Sequence, residues 1–172
     1  YQNVSRETCV DFEKFIIQLK KGNEKINLIS NENTQDNTIR ERHIVDSAQT
    51  IDFIDFNSNT ITDIGSGGGF PGIIVSILIK NLKKNIKVNL YEKSHHKRVF
   101  LRKISRDLKL NTVIKEKNIF EAENLESGTI MARAFKPLPI VLDLVYKKFS
   151  SYKNLILFMG KNGEKILEDT LK

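Results

Sequence analysis

The stretch Thr62 to Ile73, TDIGSGGGFPGI, places five glycines within eight residues, interrupted only by Ser66, Phe70 and Pro71. Ile61 and Ile64 belong to a β-like run before it, and the periodicity turns helical after Phe70. Gly65 to Gly69 therefore read as the turn between a strand and a helix. Glycine suits that turn because the backbone must take positive φ and approach a ligand without a Cβ in the way. Pro71 suits the first helical turn, where its missing N–H costs nothing. A strand, a glycine turn and a helix in succession belong to an open α/β sheet, whose ligands bind at the carboxyl edge of the strands.

The remaining sequence extends this alternation. Strands are predicted at TITDI, KVNLYE, NTVIKEK, TIMARAF and NLILFMG, with helices at about Pro71 to Leu82, His96 to Leu108, Leu138 to Phe149 and Asn162 to Leu171. Strands joined through helices imply right-handed crossovers and a mostly parallel sheet with helices on both faces. Residues 3–21 carry Cys9, Phe12, Phe15, Ile16 and Leu19 at helical spacing, closed near Gly22, and a second helix runs through TIRERHIVDSAQTIDFID. The expected layout is one globular unit, with an N-terminal helical cap over 1–55 and a doubly wound sheet over 56–172.

Several classes fall away. No apolar run approaches the roughly 20 residues that span a bilayer, and no signal pattern opens the chain, so a cytoplasmic protein without a membrane partner is expected. A lone Cys9 makes neither an internal disulfide nor a Cys-rich zinc site, and His95 and His96 lack a neighbouring Cys or paired acid, so no metal is expected. The net charge of +7 is unevenly spread: Lys80 to Lys117 hold thirteen Lys and Arg against Glu92, Asp107 and Glu116. Such a patch suits a polyanion, although a plain solvated surface is the competing reading.

The glycine loop satisfies two fingerprints. Gly67 to Gly72 fit G-x-G-x-x-G, in which a dinucleotide pyrophosphate sits on the helix N-terminus. Asp63 to Gly69 fit D-x-G-x-G-x-G, where a carboxylate before the glycines can face a cationic ligand such as S-adenosylmethionine, or else cap and order the loop. Glu92, 20 residues beyond Gly72 at the end of a predicted strand, can accept the hydroxyls of an adenosine ribose in either cofactor. Asp63 favours S-adenosylmethionine, because beside a pyrophosphate it would repel.

The kind of methyl transfer follows from what the chain carries. Pyrimidine C5 methylation needs a cysteine nucleophile near the cofactor, and Cys9 lies in the first helix. Exocyclic amine methylation commonly uses an Asn/Asp-Pro-Pro-aromatic turn after the fourth strand, where this chain reads MARAFKPLP. A ring nitrogen with a free lone pair, such as guanine N7, needs proximity and alignment rather than deprotonation. Arg133, at the end of that strand, is placed to contact the base or the cofactor edge and is the candidate catalytic residue, with a salt bridge as its ordinary alternative.

The segments ERHIVDS, DIGSGGGFPGI, EKSHHKRVFLRKI and ARAFKPL, in this order, resemble the RsmG (GidB) family of bacterial ribosomal RNA methyltransferases. The resemblance implies a Rossmann-like class I S-adenosylmethionine-dependent methyltransferase fold. It also implies methyl transfer to N7 of a guanine in the 530 loop of 16S ribosomal RNA, with the small ribosomal subunit or its RNA as partner and a monomeric enzyme. Carried over by position, Gly65 and Phe70 match cofactor-contacting loop residues, Phe120 and Glu121 a pair flanking the adenine, and Arg133 a cofactor-site arginine. Asp63, Gly67, Gly69 and Glu92 follow from the general methyltransferase pattern. Arg42, His43, Asp46 and Ser47 match a helix expected beside the cofactor mouth. Lys97 and Arg98 match a basic pair, and with Arg102, Arg106 and Lys109 they form a helical stripe expected to meet rRNA phosphates.

Three positions depart from the family pattern: Gly22 in place of Trp, Ile29 in place of Thr, and Met159 in place of Lys before Gly160. Methyltransferases of this class close their sheet with an antiparallel strand pair, which is expected to be missing here. The competing functions are a nicotinamide-dependent oxidoreductase using the G-x-G-x-x-G loop and a non-catalytic RNA-binding domain.

Overall fold

A computed structural model describes residues 4–30 and 34–171; Asn3, the expected start of the first helix, and Lys172 lie outside them. The sheet strands are β1 (Thr60–Ile64), β2 (Lys87–Tyr91), β3 (Thr112–Lys115), β5 (Thr129–Arg133) and β7 (Asn154–Phe158), in spatial order β3-β2-β1-β5-β7. All four pairings are parallel. The reversal of order falls between β1 and β5, so the crevice at this switch point opens beside the glycine turn. A small parallel pair, β4 (Leu125–Glu126) with β6 (Phe149–Ser151), is too short to leave a sequence pattern.

Alternation along the strands divides the core between two faces, since successive side chains point to opposite sides. Ile61, Val88, Leu90 and Met131 join one cluster with α4 (Gly72–Asn81) and α5 (His95–Asp107). Ile64, Tyr91, Ile130 and Ala132 join the other with Val141, Leu144 and Val145 of α6 (Leu138–Lys148). The last helix, α7 (Gly163–Leu171), lies beside α6.

The N-terminal helices cap the first face. Helix α1 (Arg6–Asn23) starts at Ser5, whose hydroxyl accepts from the Thr8 N–H, and lays Phe12, Phe15, Ile16 and Leu19 into the same core as α4 and α5. The second helical segment changes geometry as it runs: α2 (Asp36–Ile39), a π-helical turn over Arg40–Val45, α3 (Asp46–Ala48) and a 3₁₀ turn over Gln49–Phe53. π-turns are rare and concentrate at functional sites. Here the turn carries Arg42 and His43.

Candidate functional site

A cavity of about 560 Å³ opens at the carboxyl ends of the strands. Its floor is the glycine turn, Gly65 to Gly68. Glu92 and Phe120 stand on the β2–β3 side, and Arg133 and Phe135 on the β5 side beside His43 from the π-turn. Gly65 and Gly67 take φ of +77° and +53°, which a side chain would strain. Gly65 is also required by contact, because a Cβ there would come within 2.4 Å of the Phe135 ring.

The loop commits its donors to its own carbonyls and to the end of β2. Gly65 and Ser66 N–H donate to the Tyr91 carbonyl, Gly69 and Phe70 N–H to the Ser66 carbonyl, and Ile73 N–H to Gly69. Gly67 N–H donates to Glu92 Oε2 at 2.9 Å, and Gly72 N–H to Asp63 Oδ2 at 3.1 Å. Among the described residues only Gly68 N–H of this turn makes no hydrogen bond. A pyrophosphate cradle needs several such donors aimed outward. This loop offers a ligand close approach and a single uncommitted amide at Gly68, not a phosphate cradle.

Glu92 is held on two sides, its other oxygen accepting from Ser94 N–H at 2.7 Å. Each oxygen keeps lone-pair capacity toward the cavity, so the carboxylate is a fixed acceptor for vicinal hydroxyls. Phe120 and Phe135 stack with centroids 6.0 Å apart and ring planes 23° apart, giving an aromatic wall. Phe135 was not among the expected site residues. The signal for it was its position two residues past the end of β5, the edge where ligands of such sheets bind.

Asp63 corrects an expectation. It is fully buried, does not line the cavity, and caps the start of α4 through Gly72. Pro71 occupies the position just before that helix rather than its first turn. Burial pushes the Asp63 carboxyl up to about 7, only partly offset by hydrogen bonds from Ser66 and Gly72. A carboxyl whose charged form is disfavoured by burial, and which faces Gly72 rather than the cavity, is no counter-charge for a cation above the floor. Its Oδ1 has no partner. Gly69 and Glu121 likewise stay out of the cavity wall; Gly69, at φ +102°, shapes the turn from below.

Arg133 is half-buried at the cavity edge. Its Nη2 donates to the Arg42 carbonyl at 2.6 Å, Asp46 lies at 3.9 Å, and the guanidinium sits over the Phe158 ring. Burial lowers its pKa from the usual arginine value. Nη1 is buried without a partner.

The basic stripe on α5 also differs from expectation. Arg98 donates to the Glu92 and Lys93 carbonyls, Arg102 pairs with Glu116, and Arg106 lies 3.5 Å from Asp107. Lys109 follows the helix end at φ +53°. None of the four lines the cavity: Arg98 is turned to carbonyls before the helix, Arg102 to Glu116 beyond β3 and Arg106 to Asp107 of the helix itself. Lys97 does line it, joined by Lys93, Lys117 and Lys136, and none of these lysines makes an ion pair among the described residues.

A second cavity, of about 600 Å³, lies across the π-turn between α1 and α4, with Cys9, Phe12, Ile44 and Leu78 among its walls. It holds neither the glycine turn nor Glu92, and Cys9 is thereby separated from the strand-edge crevice. No helix among the described residues is long and apolar enough to cross a membrane, and no group of three metal-ligating side chains occurs among them.

The model for GidB, rRNA small subunit methyltransferase G, matches residues 8–170. The chain is 72% identical to ribosomal RNA small subunit methyltransferase G of Pelagibacter ubique over 99% of its own length and 80% of the relative's. It is 34% identical to the protein of the same name from a Ruegeria species, over 99% and 82%. The fold is similar to that of a SAM-dependent O-methyltransferase from Thermotoga maritima, with a TM-score of 0.56 at 16% identity, covering 74% of this chain and 48% of that one.

Proposed function

This chain belongs to the GidB family, the rRNA small subunit methyltransferases G, and we propose that it transfers a methyl group from S-adenosylmethionine to N7 of a guanine in the 530 loop of 16S ribosomal RNA. The observation that carries the cofactor is the self-satisfied glycine turn beside Glu92, which offers a ribose acceptor without a phosphate cradle. The same feature disfavours a nicotinamide dinucleotide, and it replaces the argument from Asp63.

When bound, the cofactor supplies an electrophilic methyl group on a sulfonium. Glu92 would accept the ribose hydroxyls, the Phe120 and Phe135 rings would flank the adenine, and Gly65 to Gly68, in the same cavity wall, would leave room for the chain of atoms between. Arg133, with Nη1 free of protein partners, holds a carboxylate or the base edge. Guanine N7 would attack the methyl carbon with a lone pair already exposed while the carbon–sulfur bond breaks and the neutral thioether leaves, so no proton has to be removed. What the residues must supply is alignment, exclusion of water and a grip on the RNA.

That grip is assigned to Lys93, Lys97, Lys117 and Lys136 around the cavity mouth rather than to the arginines of α5. Unpaired ammonium groups can neutralise phosphates and release the RNA's condensed counterions, whereas Arg98 is tied to two backbone carbonyls and Arg102 and Arg106 already face Glu116 and Asp107. Incubation with methyl-labelled S-adenosylmethionine and small subunits tests the function: label is expected at guanine N7. Label elsewhere, or tight NADH binding without S-adenosylmethionine binding in calorimetry, overturns it.

A further inference from the structure

His43 is left over by this account. The π-turn sets its imidazole against Phe70, with ring centroids 4.8 Å apart and planes 29° apart, in the wall of the strand-edge cavity. Both ring nitrogens are buried without a hydrogen-bond partner. Buried polar atoms without a protein partner are costly unless something else satisfies them, so these two nitrogens are candidates to pair with a ligand in the cavity. The same π-turn offers the Arg42 carbonyl to Arg133, which places a second unpartnered donor, Nη1, on this side of the cavity.

The two sides of the cavity have different chemistry. Glu92, on the β2 side, carries the charge suited to ribose. The β5 side presents His43 with Phe135 and Arg133. Burial and the nearby Arg133 push His43 down to about 4, so its ring is neutral at physiological pH and has one N–H donor and one acceptor. A neutral imidazole suits a neighbour that becomes positively charged when its ring nitrogen is methylated, and one of its nitrogens can donate to O6 or accept from N1–H of guanine, the two groups that 2-aminopurine lacks.

We propose that His43 is a base-contacting residue that hydrogen-bonds the target guanine, held in register by its stack on Phe70. The proposal rests on the guanine-methyltransferase reading, and the test separates the two. Three readouts are compared for the wild type, His43→Phe and His43→Gln: S-adenosylmethionine affinity by calorimetry, kcat and KM on RNA, and discrimination between guanine and 2-aminopurine at the target position. His43→Phe keeps the aromatic contact and removes both nitrogens; His43→Gln restores a donor and an acceptor.

The expected result is unchanged cofactor affinity in both variants. His43→Phe is expected to lose about 10- to 100-fold in kcat/KM on the guanine RNA and most of its preference over 2-aminopurine, with partial recovery in His43→Gln. Equal kcat/KM in His43→Phe and wild type overturns the proposal, as does a parallel loss of cofactor affinity. A thermal melt lowered in His43→Phe and His43→Gln alike, with discrimination intact, assigns His43 to packing and also overturns it. If the wild type methylates no guanine N7, the underlying functional reading fails instead.

Discussion

Helix α5 carries lysines and arginines from end to end, yet its two ends stand in different surroundings. At the amino end Lys97, with Lys93 just before the helix, borders the strand-edge cavity and has no acidic partner. Toward the carboxyl end Arg102 meets Glu116, Lys103 meets Asp107 and Gln18, and Arg106 meets Asp107. Formal charge is similar along the helix, but at the amino end it stands beside the cavity without acidic partners among the described residues, whereas Arg102, Lys103 and Arg106 share theirs with Glu116 and Asp107. Charge density in a sequence measures what a surface could attract; pairing in the fold decides what it does attract.

The largest effect that sharpens this contrast lies just before the amino end. Replacing Glu92 with Ala is expected to weaken S-adenosylmethionine binding by about 100-fold, measured by calorimetry, because a buried hydroxyl pair would lose its acceptor. The loop amides of Gly67 and Ser94 would lose theirs as well, so a lower melting temperature is expected alongside.

Next comes RNA affinity. Reversing Lys97 and Lys117 to Glu is expected to reduce binding of an rRNA fragment about 10- to 100-fold near 0.15 M salt and to flatten the slope of log affinity against log salt. The paired Arg102→Ala and Arg106→Ala are expected to leave that slope unchanged. Equal effects from both pairs of substitutions would mean that pairing in the fold does not limit which charges meet the RNA.

A third test concerns the carboxyl group under the cavity floor. The folded-state pKa of Asp63, about 7, lies above the ordinary aspartate range, so the folded form binds the proton more tightly than the unfolded form. Its contribution is complete below about pH 4 and is lost as pH rises through 7. Asp63→Asn keeps an acceptor for Gly72 N–H and cannot ionise. Urea denaturation at pH 5 and pH 8 is expected to show the wild type losing on the order of 2 kcal/mol relative to this variant.

The smallest effect is expected at the far end of α5. Arg106→Ala removes an exposed pair and is expected to change stability by less than about 0.5 kcal/mol in the same denaturation experiment.

The five sheet strands and the helices between them were legible because buried parallel strands read as short apolar runs and the helices as 3.6-residue periods. The place of the site was legible too, since the glycine turn fixes the switch point. Asp63 was misread from its motif, which gives spacing but no direction. Strand alternation held the answer, because Asp63 shares a face with Ile61, a core residue. The pairing of the α5 arginines was beyond local reading: Glu116 comes from the segment after β3. His43 was flagged by resemblance alone, because a change from α to π geometry has no simple sequence period.

Phe70 links the cavity to the N-terminal helices. Its ring meets Phe15 of α1 edge-on, with centroids 5.3 Å apart, and stacks on His43 from the other side. Helix α1 contributes no residue to the strand-edge cavity. A ligand that binds the folded loop stabilises everything that must be folded with it, by an amount set by its concentration over its dissociation constant. Amide protons of α1 will therefore exchange with deuterium more slowly when the cavity is filled, and that helix becomes a reporter of occupancy at a site it never touches.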